Sequence, residues 1–487
     1  MFSSTPRTLL IGLVSIGLIG CKPAPKDDTD IPTDTGPQVG DLIIPTPDRY
    51  RFPSRDNPEV DSVAYEGQIF RHLLIGDLKA HMAGFTDRLN GGLIPEEGEI
   101  VAELEFYFEF DSAVGGPLAF SSNLNGQALQ TTYDDVGTGK DLVGKLAGND
   151  PIGQHKDWST EMVGWTAAGV STPESLVRSW FDQLESQAID WSFGNYPLDP
   201  SGSPVAAVYI TPEGHDLRQL TQKFLDGAIA FSQGADDYLD DDEPGKGLLS
   251  DHSATEEGKP YTTLERAWDE GFGYFGPARE YPLMTDEQIA QDEWFDSNGD
   301  GAGDLFSEVC WGHSINAAKR DLDSSSAAPN DFTAQAWSGF YEGRLLLAET
   351  RGPLSPDELE TLKGHRDTAL DAWEKAIAAT MVVYINDVIR DMGTFDTADY
   401  DFGSHATHWS ELKGFALSLQ FNPRMAISEA DYITLHEKIG QAPVLPTADL
   451  PTQDAYIADL LAARAILGTS YGFDPANLGD ENGENGW

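Results

Sequence analysis

Apolar residues recur at three- and four-residue steps through most of this chain, the spacing that places them on one face of an α-helix. The longest such stripe covers 355–392, with Leu359, Leu362, Leu370, Trp373, Ile377, Met381, Tyr384 and Val388 in register and one polar interruption near Arg366. Ser355-Pro356-Asp357-Glu358 opens it as a capping box with proline at the first helical position, and Gly393 closes it. A helix of that length is roughly 55 Å long, which suits a bundle. A second stripe over 62–84 carries Val63, Phe70, Leu73, Leu74 and Leu78. Similar patterns predict helices over 216–239, 264–275, 306–322, 332–349, 404–420 and 453–467, with further starts at Thr172-Pro173, Thr285 and Ser428. Strand signals are scarce: 204–210 is the one β-like run, and 99–110 fits either type. The pattern therefore predicts a mainly α fold of antiparallel helices, one bundle or two packed together, with long loops and little or no sheet.

The beginning of the chain follows a different pattern. Arg7 precedes an apolar run from Leu9 to Ile19, too short to span as a stable helix, which ends in Leu18-Ile19-Gly20-Cys21. This tetrad resembles the bacterial lipoprotein signal, in which cleavage falls before the cysteine and the thiol is diacylated. It predicts a signal peptide at 1–20, a lipid anchor on Cys21 and attachment to a membrane of the cell envelope. Lys22, rather than aspartate, follows the cysteine and points to the outer membrane, on its periplasmic or surface face, by analogy with lipoprotein sorting. Residues 21–45 are rich in Pro, Asp, Thr and Gly and read as a disordered tether, 46–475 as the helical body, and 476–487 as an acidic tail expected to fray.

Composition narrows the partners. With 40% apolar residues in 487, the body can build a real core. Eighty-one acidic against 31 basic residues give a formal charge of −50, a field that repels phosphate backbones, so nucleic acid is not expected as a partner. With Cys21 acylated, Cys310 has no disulfide partner; between Val309 and Trp311, with no electropositive pattern nearby, it reads as a buried, inert thiol.

Three stretches carry candidate chemistry. The first is DSNGDGAGDLFSE at 296–308, where oxygens recur at alternate positions around a glycine turn: Asp296, Asn298, Asp300, the Ala302 carbonyl and Asp304, with Glu308 closing the loop. That is calcium-loop spacing, although Gly303 and Ser307 stand where an EF-hand needs an apolar residue and a bidentate carboxylate. The expected role is a structural calcium staple. The second is His405-Ala406-Thr407-His408-Trp409-Ser410-Glu411, in which His408 and Glu411 share a helix face and could ligate iron or zinc or act as base and orienter. His405 lies near that face one turn earlier, and the three span about 9 Å along the axis, so one ion needs outside help. The third is the Trp268–Gly276 run, whose neighbouring Asp269 and Glu270 point to different helix faces and form no ready acid/base pair, though one could reach the loop or His408. No HExxH, GxSxG, phosphate loop or dinucleotide fingerprint occurs.

Several segments together resemble a known family: Tyr65-Glu66-Gly67-Gln68 with Arg71, Gln222-Lys223, the Trp268–Gly276 run, the 296–308 loop, Ala317 to Asp321, Gly343-Arg344, and His408 to Pro423. They resemble the bacterial lipoproteins grouped as domain of unknown function 4856, over about 50–473. That family is similar to imelysin-like proteins, which are linked with iron acquisition and carry Gly-x-His-x-x-Glu on a helical bundle. His408 and Glu411 match the His-x-x-Glu part, while Ala406 stands at the glycine position. The resemblance implies an exported helical lipoprotein that binds a protein or metal, its uptake role included; the alternative is a metal-dependent hydrolase working through His408 and Glu411.

Overall fold

The computed structural model describes residues 42–121, 127–150, 154–291 and 294–487; the expected signal peptide, Cys21 and most of the expected tether fall outside them. Fifteen α-helices form among the described residues. The first eight are α1 (Glu66–Asn90), α2 (Glu99–Phe108), α3 (Ser112–Gly115), α4 (Tyr133–Val136), α5 (Pro173–Ser192), α6 (Leu217–Leu225), α7 (Thr263–Phe275) and α8 (Asp286–Ala290). They are followed by α9 (Gly312–Leu322), α10 (Phe332–Glu349), α11 (Pro356–Gly393), α12 (Phe402–Ser418), α13 (Glu429–Ile439), α14 (Leu450–Tyr471) and α15 (Pro475–Leu478). Among the described residues there is no strand, only isolated bridges such as Ala128 with Gly303. No helix among them is long and apolar enough to cross a membrane.

The longest helix is the axis. Its start follows from local chemistry: the Ser355 hydroxyl accepts the Glu358 N–H at 3.3 Å while Glu358 accepts the Ser355 N–H at 2.7 Å, satisfying two orphan donors. Its stripe then buries Trp373, Ile377, Met381 and Ile385 completely, against α9, α10, α12 and α14. Arg366 does not break the stripe, because it is itself buried and donates to the Leu239 carbonyl at 3.1 Å and Asp241 at 2.9 Å. On the far side of α12 lies α6, which in turn packs on α1. After Leu225 the α6 helix widens into π turns at Asp226–Phe231 and Gly234–Tyr238, a distortion common at functional sites. Close approach fixes two glycines here: a Cβ on Gly227 would stand 2.1 Å from the Ser418 hydroxyl, and one on Gly234 2.7 Å from the Trp373 ring.

Some expectations shift. The β-like run at 204–210 forms turns with single bridges at either end, Leu198 with Pro204 and Ile210 with Asp216. The ambiguous 99–110 is helical as α2. The helix expected from 306 begins only at Gly312, whose φ of +52° a side chain would resist; Cys310 therefore precedes the helix, though it is buried as read. Order starts before 46, with the Ile43 N–H on the Pro58 carbonyl at 2.9 Å. The tail does not fray: Trp487 is buried, its indole donates to the Arg320 carbonyl at 3.0 Å, and its ring meets Phe473 edge-on.

Candidate functional site

Helix α12 sets His408 and Glu411 one turn apart on a single face, and three other helices bring charge to that face. From α11, Asp391 accepts from His408 Nδ1 at 2.7 Å, and the Tyr384 ring stacks over the imidazole at 6.4 Å. Burial alone would lower the pKa of His408; the hydrogen bond and charge of Asp391 outweigh it and hold it above the usual value. From α6, Lys223 Nζ stands 3.5 Å from Glu411 Oε1 and lies over the Phe415 ring. The Tyr384 hydroxyl is pushed up by burial, then by the charge and hydrogen bond of Glu411.

Two further groups extend the cluster. Lys79, from α1, is pushed down to about 8 by burial, with Lys223 adding to the effect. Asp226, on the first π turn, is pushed up to about 6 by burial although Lys223 and Lys79 oppose the shift. The result is a cluster of alternating charge between α1, α6, α11 and α12, with His408 partly exposed and Asp226 buried.

The other residues singled out in the sequence stand elsewhere. His405 is fully buried on the neighbouring face, bonded through Nδ1 to the Tyr400 hydroxyl at 3.1 Å and pushed down to about 4 by burial. It does not join His408. Asp269 is fully buried under Arg344, at 2.8 Å, and accepts from the Tyr50 hydroxyl and the Ala64 N–H. Glu270 faces a separate cavity, 3.9 Å from Arg266. Neither carboxylate meets His408 or the 296–308 loop.

In that loop the side chains are occupied with its own backbone. Asp296 accepts from the N–H groups of Gly299 and Gly301, Asn298 from Asp300, and Asp300 from Ala302. Asp304 accepts from Gln130 and Ser307, and the buried Glu308 spans the loop from the Ser297 N–H to the Asp304 N–H. Among the described residues no three His, Cys, Asp or Glu side chains are grouped as a metal cage.

The pair His408 and Glu411 was legible from its spacing, but its partners were not. Tyr384, Asp387 and Asp391 do make a polar stripe at helical steps along α11, a signal hidden because Tyr384 also fits the apolar one. Lys79, Lys223 and Asp226 left no comparable mark.

Fold and site thus define a mainly helical protein with a cluster of charged side chains where α1, α6, α11 and α12 meet. The sequence profile of the family described as Domain of unknown function (DUF4856) matches residues 177–440, more than half of the chain. The protein belongs to that family. No curated protein and no solved structure matches it.

Proposed function

We propose that the chain is a non-catalytic binding protein of the cell envelope, held to a membrane by acyl groups on Cys21. The observation that carries the binding reading is the engagement of the His-x-x-Glu pair: Glu411 lies 3.5 Å from Lys223 Nζ, and His408 is 2.7 Å from Asp391. A carboxylate already facing an ammonium is a poor metal ligand. Meanwhile Lys79 and Asp226 make no side-chain hydrogen bond or ion pair within 4 Å among the described residues, so the cluster keeps polar capacity for a ligand. Elemental analysis of the purified protein, with His408→Ala alongside, tests this. Neither sample is expected to hold stoichiometric iron or zinc; a metal present in the wild type and lost in the variant would overturn the reading in favour of a metal-dependent hydrolase.

The same proposal gives the 296–308 loop a calcium staple. Hard oxygens of Asp296, Asn298, Asp300 and Asp304 and the Ala302 carbonyl suit that ion. Gly299 and Gly301, with φ of +75° and +77°, already make the turn that such a loop needs. Binding requires the side chains to swing inward from their present hydrogen bonds, while Glu308 braces the two arms. Calcium added to chelator-treated protein should raise the thermal midpoint, by about 3 kcal/mol of stability at a hundredfold excess over Kd. Asp300→Ala should abolish the response, and an undiminished shift in that variant would sink the assignment.

A further inference from the structure

At the start of α1, away from the His408 cluster, lies a cavity of about 300 Å³ whose lining contradicts the charge of the chain around it. Five of its lining residues are cationic, Arg71, Lys140, Lys145, Lys259 and Arg266, in a protein with only 31 lysines and arginines against 81 acids. Three carboxylates also line it, Glu66, Glu256 and Glu270, and two of these are answered by Arg266, at 3.4 Å from Glu256 and 3.9 Å from Glu270. Lys145 is answered by Asp150 at 3.1 Å.

That leaves three cations against the single carboxylate of Glu66. Arg71 is 7% exposed, and its guanidinium donates to the backbone carbonyls of Asp141 at 2.9 Å and Gly67 at 3.1 Å, with no carboxylate within 4 Å among the described residues. A buried guanidinium without a carboxylate is costly unless something else supplies negative charge. Lys140 runs along the first turn of α1, close enough that a Cβ on Gly67 would stand 3.1 Å from its Cε. Neither Lys140 nor Lys259 has a carboxylate within 4 Å among the described residues. The 25-residue α1 adds its positive end, since its N-cap Tyr65 makes no side-chain capping bond.

We propose that this cavity binds a small, multiply charged oxyanion, with Arg71, Lys140 and Lys259 as its counter-charges. The volume falls at the small end of ligand sites, enough for a phosphorylated or polycarboxylate metabolite and too small for a polymer. Arg71 supplies a planar fork fixed by its two carbonyl contacts, and the lysines supply adaptable point charges. The surrounding −50 field opposes the approach of an anion, so binding rests on the local cations of this cavity. The inference depends on neither the calcium loop nor the fate of His408.

Calorimetric titration of the full chain with pyrophosphate and, separately, with citrate tests it. One-to-one binding of either is expected, weakening with added salt and at least tenfold weaker in Lys140→Met and in Lys259→Met. Both lysine variants alter side chains with no bonded partner, so folding is preserved and can be checked by their thermal midpoints. Pyrophosphate binding with citrate inert assigns a phosphate ligand, and the reverse a polycarboxylate. Absence of binding for both at millimolar concentration, or affinity equal in wild type and the two lysine variants, overturns the proposal.

Discussion

Replacing Arg344 by leucine is expected to cost about 3–5 kcal/mol of folding stability, read from chemical denaturation, because it strands the buried Asp269 and leaves Glu265 with only Arg55 at 3.9 Å among the described cations. Arg344 has no exposed surface, and neither has Asp269, while Glu265 has almost none. The guanidinium reaches Asp269 at 2.8 Å, Glu265 at 3.4 Å and the Ser62 hydroxyl at 2.6 Å, with its plane over Phe52. One side chain from α10 thereby fixes α7 and the segment leading into α1. The Tyr50 hydroxyl and the Ala64 N–H still bond Asp269 in the variant, but hydrogen bonds without a counter-charge do not offset desolvation of an ionised carboxylate. Pairing the change with Asp269→Asn should recover part of the loss, since the stranded charge is then gone. A single variant within 1 kcal/mol of wild type would show that the network carries no net energy.

Such pairs mark the boundary of what sequence conveys. The α11 helix was legible almost to the residue, because both its cap and its stripe are local, and Ser355 and Gly393 lie within one element. His408 and Glu411 were legible for the same reason, lying three residues apart. Asp391 and Lys223, which decide what that pair can do, sit 17 residues before His408 and on another helix, and nothing local announces them. Asp269, read with Glu270 as a carboxylate that could reach the loop or His408, has instead as its neighbour in space Arg344, 75 residues away. The start of α9 was missed because the apolar pattern runs on through Val309 and Trp311 while the backbone turns at Gly312, pressed against the His72 ring. Trp487 shows the converse: an acidic, glycine-rich end read as loose is tied down by its buried indole and by Asn386, Arg390 and Arg464, which bond the backbone carbonyls of Trp487, Gly483 and Asp480.

A buried lysine should give the protein an unusual alkaline profile. Lys413, on α12, is fully buried with no carboxylate beside it; its ammonium donates to the Gly440 carbonyl at 2.6 Å and faces His436 Nδ1 at 3.3 Å. Burial pushes its pKa down to about 7 from an ordinary value of 10.5. His436 is lowered too, by burial and then by the Lys413 charge, so the histidine offers no compensation. Between pH 7 and 10.5 the unfolded chain therefore keeps a proton that the fold has released, and unfolding takes up that proton. Stability then rises with pH across this window, and below it both states are charged and the penalty is constant. Lys413→Met removes the titration but also the bond to Gly440, worth about 1 kcal/mol. The variant should be more stable than wild type by about 2–4 kcal/mol at neutral pH, with the advantage shrinking to nothing or reversing near pH 10. Denaturation of both proteins at several pH values isolates this lysine from the others, which titrate alike in the two. Stability curves that stay parallel from pH 7 to 10 would mean that Lys413 is charged in the fold, and that water or a partner reaches it.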